Sequence, residues 1–95
     1  MISACDLLGV KFIPAIVPSE YPSFRLILDE LPRSYAEWLQ NAKKVSLEHD
    51  ATGGTSERVG VVSAEFVRYC KVTRTDRNMH SLWLFAHEKG MGREF

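Results

Sequence analysis

A match between the two halves of the chain is the feature that most constrains its fold. When the sequence is laid on itself with an offset of 45 residues, its only two tryptophans, Trp38 and Trp83, coincide. Five identities fall among the 36 pairs that join residues 10–45 to residues 55–90, where composition alone gives about two. The other four pairs are Val17 with Val62, Glu20 with Glu65, Leu39 with Leu84 and Lys44 with Lys89. We therefore hypothesise an internal duplication with pseudo-twofold symmetry, in which repeats 10–45 and 55–90 are joined by a polar linker at 46–57.

The first repeat predicts one strand followed by two helices. Residues 11–17 are apolar and rich in branched side chains, which indicates a strand, and Pro14 makes it an edge or bulged strand because proline cannot donate to a ladder. Between Pro18 and Pro32, apolar residues recur at helical spacing, which predicts a short amphipathic helix. Ser34 and Glu37 then form a capping box that opens a second helix.

The second repeat predicts the same order of elements. Residues 59–62 indicate a strand, Ser63 is an N-cap for the next helix, and Asn78 is the cap of a last helix that ends at Gly90 or Gly92. Periodicity cannot distinguish the apolar run 82–86 from a buried strand, and the match to the helix around Trp38 favours a helix.

These elements predict a small α+β domain that comprises residues 1–95 in the order β-α-α-linker-β-α-α, with two short strands and four helices. The predicted core residues are Tyr35, Trp38, Leu39, Phe66, Tyr69 and Trp83.

Composition narrows the classes of function. Twelve basic and twelve acidic side chains leave no net charge, which argues against a surface that binds nucleic acid or an anionic membrane as a whole. No apolar run is long enough for a membrane helix, and the first residues lack the pattern of a secretory signal. Cys5 and Cys70 have no metal-type spacing with each other or with a histidine, so we expect two free thiols in the cytoplasm and no metal or cofactor.

The mismatches between the repeats suggest a candidate interface. Glu37 and Gln40 correspond to Leu82 and Phe85, so positions that are polar in the first repeat are apolar in the second. A last helix that is apolar on nearly every side lies either centrally in the core or against a partner. We expect an interface, most simply that of a twofold homodimer. Its candidate residues are Leu82, Trp83, Phe85 and Ala86.

A basic stretch gives the first alternative function, a nucleic-acid-binding accessory protein. Its cations would contact phosphates, and Tyr69 and His80 lie nearby for stacking. The simpler interpretation, which we favour, is that these residues form the solvated back of an amphipathic helix. The residues of this basic stretch are Arg68, Lys71, Arg74 and Arg77.

A small enzyme is the second alternative. Cys70 would be a nucleophile served by a distant histidine, or Glu20 and Glu65 would form an acid and base pair. A buried thiol and two first-turn carboxylates explain the same residues more simply. His80 and His87 stand seven residues apart, about 10.5 Å along a helix, which is too far for the one-turn pairing that suits a metal. The sequence thus favours a cytoplasmic interaction or regulatory module that is non-catalytic and dimeric.

Overall fold

The computed structural model describes residues 10–93 and confirms the small α+β domain and the predicted order of its elements. Two strands and four helices occupy this described part of the chain. They are β1 (Val10–Ala15), α1 (Tyr21–Ile27), α2 (Tyr35–Ala51), β2 (Thr55–Gly60), α3 (Ser63–Thr73) and α4 (Met79–Gly90).

The two strands pair in parallel, and their register equals the offset seen in the sequence. Val10 lies opposite Thr55 and Ala15 opposite Gly60, so each residue of β1 faces the one 45 positions further on. A parallel pair needs a long crossover connection, which α1 and α2 supply. The helices do not keep this offset: α3 begins 42 residues after α1, and α4 begins 44 residues after α2. The second half repeats the order strand, helix, helix of the first half, as predicted, while the duplication itself stays a prediction.

The connection between the halves is shorter than the predicted linker at 46–57. α2 continues to Ala51 and β2 begins at Thr55, so only residues 52–54 connect them. The Ser46 and Ser56 hydroxyl oxygens lie 2.5 Å apart, and Ser56 donates to Asp50 Oδ1 at 3.2 Å. A polar composition describes an exposed helix end as well as a loop, which is why the sequence misplaced this boundary.

Aromatic side chains from three helices meet in the centre of the core. The Phe66 ring of α3 lies 6.1 Å from Phe24 of α1 and 5.9 Å from Phe85 of α4, measured between centroids. The Tyr69 ring of α3 also packs against Phe85, and the centroids of these two rings are 5.2 Å apart. Rings at these separations contribute beyond the area they bury.

Three of the six predicted core residues are fully inside, namely Trp38, Phe66 and Tyr69. Tyr35 is partly buried against the same cluster. Leu39 and Trp83 were wrongly assigned, since Leu39 is 43% exposed and Trp83 is half-buried beside a cavity. Leu39 follows Trp38 by 100° around α2, so the turn that buries the tryptophan brings the leucine to the rim.

Two glutamates from the first half cap the two helices of the second half. Glu20 Oε1 accepts hydrogen bonds from the Ser63 backbone N–H at 2.8 Å and from the Ser63 hydroxyl at 3.0 Å. Glu30 Oε1 accepts from the Met79 N–H at 2.9 Å. The first amides of α3 and α4 lack partners within their own helices, and a carboxylate there also complements the helix dipole.

The caps predicted within each helix are partly confirmed. Ser34 Oγ accepts from the Glu37 N–H at 3.1 Å, and Asn78 Oδ1 accepts from the Ser81 N–H at 2.9 Å. Ser63, predicted as the N-cap of α3, is instead its first helical residue, and Val62 holds the cap position without a side-chain bond. Glu20 takes over that role from 43 residues away.

Removing either long-range cap should destabilise the fold. We expect Glu20→Ala and Glu30→Ala each to lower the free energy of unfolding by about 1–2 kcal/mol, because a helix amide loses its acceptor. Glu48→Ala, an exposed change on α2, is the matched control. Urea denaturation checks this, and an equal loss in the control would show that the capping bonds contribute nothing specific.

The end of α3 offers a change that should stabilise the protein. Arg74 adopts a left-handed conformation with φ 55° and ψ 43°, in which its N–H reaches the Cys70 carbonyl. Glycine adopts this conformation without the penalty of a Cβ, so Arg74→Gly should raise the free energy of unfolding by about 0.5–1 kcal/mol. Lys71→Gly, inside the last turn, should lower it by about the same amount. Thermal denaturation of both variants tests the opposite signs.

Candidate functional site

One cavity among the described residues is lined by all three histidines of the chain. We call it the histidine cavity; its volume is about 420 Å³, and it lies between β1, α4 and the end of α2. Its lining residues are Val10, Lys11, Phe12, His49, His80, Trp83, Leu84 and His87. Sequence reasoning missed this site because it compared His80 only with His87 along one helix.

Helical spacing explains why α4 lines the cavity. Trp83 and Leu84 lie three and four residues after His80, and His87 lies four and three residues after them, so all four share one face of the helix. The other face is apolar and faces the core. The amphipathic pattern of α4 was therefore present in the sequence. On the face that points away from the core, the histidines line a cavity.

Two glycines allow the close packing around this cavity. A Cβ at Gly54 would overlap the ring of His49, and a Cβ at Gly90 would overlap the ring of Phe12. The imidazole of His49 therefore lies directly over the turn that leads into β2. Phe12 can in turn reach across the end of α4, where its ring meets His87 edge-on with centroids 5.6 Å apart.

Cationic and aromatic groups dominate the chemistry of the cavity. The Lys11 ammonium lies 5.5 Å from the centroid of the Trp83 ring, within the range of a cation–π contact. Among residues 10–93, the lining of the cavity includes no carboxylate. The histidines share the cavity without forming a coordination sphere: among residues 10–93, no group of three or more histidine, cysteine, aspartate or glutamate side chains is placed to hold a metal ion.

A second concavity, the apolar groove, runs along β1 beside the first half of α2. Its volume is about 160 Å³. Val17 and Leu39 are 51% and 43% exposed at its rim. The Tyr35 hydroxyl donates to the Ile16 carbonyl at 2.5 Å and holds the strand to the helix. The groove is lined by Ile13, Pro14, Ala15, Ile16, Val17, Pro18, Tyr35, Trp38, Leu39, Ala42 and Arg58.

Arg58 is the one charged residue that lines the apolar groove. It is exposed on β2, opposite Ile13 in the strand register. Within the described residues it forms no ion pair or hydrogen bond through its side chain. The groove thus combines apolar surface with an unpaired positive charge.

The candidate interface at 82–86 lies mostly inside the molecule. Leu82, Phe85 and Ala86 are at most 1% exposed, and Trp83 reaches the histidine cavity. Phe85 packs between the rings of α3, so the apolar side of α4 is used within the chain. Their burial agrees with the central core helix that was weighed as the alternative, and an interface at these residues stays a prediction. Homodimer formation itself remains a prediction.

The basic stretch is a solvated surface. Its four cations are exposed on the outer side of α3 and the turn after it, and none forms an ion pair within residues 10–93. Tyr69, expected to stack on a base, is 4% exposed in the core, and His80 belongs to the histidine cavity. The geometry supplies charge without a stacking partner, and nucleic-acid binding remains a prediction. The four residues are Arg68, Lys71, Arg74 and Arg77.

Cys70 lies at a third cavity, of about 260 Å³, between the end of α3 and the turn that follows. The thiol is almost fully buried, and its Sγ lies 3.9 Å from the Asp76 carbonyl. Burial raises the pKa of the Cys70 thiol above its usual value, and the charge of Arg77 offsets this only in part. Among residues 10–93, the lining of this cavity includes no histidine that could serve as the base expected for a thiol nucleophile.

The proposed carboxylate pair has structural partners. Glu20 caps α3, whereas Glu65 forms an ion pair of 2.7 Å with Lys89. Lys89 also donates to the Gly60 carbonyl at 2.8 Å and so ties the end of α4 to the end of β2. These bonds agree with the simpler account, in which both carboxylates stabilise helix ends.

Comparisons with protein-family models, with curated proteins and with solved structures return no match. Within the described residues, every helix is too short or too polar to span a bilayer.

The thiol environment can be tested by alkylation. We expect Cys70 in a Cys5→Ser chain to react with iodoacetamide at least about tenfold more slowly when folded than in urea, because only the thiolate reacts and burial disfavours it. Mass spectrometry follows the reaction. Equal rates in the folded and unfolded chain would mean that the thiol is accessible and would reopen a nucleophilic role.

Proposed function

We propose that this chain is a non-catalytic protein-interaction module that binds its partner in the apolar groove. The observation that supports this most directly is the combination of exposed Val17 and Leu39 with the unpaired guanidinium of Arg58. Exposed apolar patches mark interaction sites, and arginine is enriched at protein interfaces.

The chemistry of the groove defines the partner. Because Arg58 has no carboxylate within the groove, the partner segment carries one, next to an apolar side chain that covers Leu39. Pro14 lacks the N–H that a further strand would need at its position. The partner segment therefore binds through its side chains, without a complete ladder along β1.

A non-catalytic role agrees with how the reactive residues are used. Cys70 is buried away from the histidines, and Glu20 and Glu65 are occupied by Ser63 and Lys89. Cys70 is a free thiol, which suits a reducing compartment, and we propose the cytoplasm. The internal duplication also remains part of this proposal, supported by the strand register of 45 residues.

Charge reversal tests the groove. We expect wild-type protein to bind peptides that combine leucine or phenylalanine with aspartate, measured by fluorescence anisotropy. Arg58→Glu should shift the preference toward peptides with lysine in place of aspartate, since the complementary charge changes sign. Leu39→Lys should weaken binding of the aspartate peptides about tenfold or more through loss of the apolar contact.

Leu26→Lys is the matched control, because Leu26 is 86% exposed on α1 and lies outside the groove. It should leave peptide binding unchanged. Light scattering distinguishes a second copy of the chain as the occupant. A wild-type dimer that Leu39→Lys dissociates would overturn the acidic-segment proposal in favour of the homodimer predicted from the sequence.

A further inference from the structure

The histidine cavity carries an inference that goes beyond protein interaction. We infer that it binds a small molecule in which a planar aromatic ring is joined to a phosphate monoester, the chemistry of a nucleoside monophosphate. This site is separate from the apolar groove, since none of its lining residues belongs to the groove.

The charge of the cavity selects an anion. The Lys11 ammonium and the imidazoles of His80 and His87 offer N–H donors from β1 and from α4, and within the described part of the chain no lining carboxylate competes for them. A phosphate monoester carries up to two negative charges and three strongly accepting oxygens. It therefore uses such a set of donors more fully than a single carboxylate does.

The aromatic lining selects a ring. The Trp83 indole is half-buried, and its face lies toward the cavity, where the Lys11 ammonium rests over it. Leu84 and Val10 add exposed apolar surface on either side. A planar ring can replace the ammonium over Trp83, and the flexible Lys11 chain is then available to bind the phosphate.

The shape of the cavity agrees with a ligand of this size. Its volume of about 420 Å³ lies within the range of small-molecule sites. His80 and His87 lie on either side of Trp83 on one face of α4, about two turns apart. A ring over Trp83 thus has a histidine beyond each edge, and the phosphate lies toward one of them.

Titration with AMP tests the site on the full chain. NMR of the Trp83 indole N–H locates binding, and calorimetry measures the affinity. We expect AMP to bind at least about tenfold more tightly than either adenosine or inorganic phosphate, because each of these carries only half of the recognised chemistry. Failure of AMP to shift the Trp83 signal, or equal affinity for inorganic phosphate alone, would overturn the inference.

Matched substitutions distinguish specific binding of AMP in the histidine cavity from a general attraction of AMP to positive charge. Lys11→Gln should weaken AMP binding about tenfold or more, and one of His80→Gln and His87→Gln should do the same. Lys71→Gln removes another exposed lysine, which lies outside this cavity, and should have no effect. An equal loss of AMP affinity in Lys71→Gln would mean that binding depends only on the net charge of the protein. Leu39→Lys should keep AMP binding, so this inference can fail or succeed independently of the apolar groove.

Discussion

The parallel pairing of β1 with β2 is the constraint on which the remaining architecture depends. Parallel strands cannot be joined by a tight turn, so α1 and α2 must be placed between them in the chain. A pair of strands also buries too little surface to be stable alone and requires helices packed against it. α2 and α4 meet this requirement, and the aromatic rings of α1 and α3 complete the core between them.

The need to cover the strands explains why α4 is apolar on so many sides. A helix that contacts β1, β2 and α3 at once has little solvated surface left, and Leu82 and Phe85 fall on its inner side. The sequence could not show this, because an apolar position looks the same whether it faces its own core or a second molecule. The burial of these residues within one chain depends on the direction of α4 relative to the strands, and that direction is a tertiary property.

Local signals in the sequence were more reliable than those that depend on distance. The caps at Ser34 and Asn78 follow from residue type and spacing within a few positions, and both are present. The predicted end of α2 was too early, because polar residues such as Ser46 and Asp50 are common both at exposed helix ends and in loops. The histidine cavity could not be predicted, since His49 and His87 come to line one cavity only after α2 and α4 have packed beside β1. The register of the strands, by contrast, coincides with an offset visible in the sequence.

The glutamate caps have a consequence for how the molecule unfolds. Glu20 and Glu30 belong to the first half and accept hydrogen bonds from the first amides of α3 and α4, over separations of 43 and 49 residues. Once the first half has melted, the first amide of each of these helices loses its carboxylate acceptor and has only water in its place. The strands of the two halves also pair with each other and their rings share one core, so we expect a single cooperative transition, and resemblance between the halves does not make either an independent folding unit. If the chain arose by duplication, each copy now depends on the other for its folded structure.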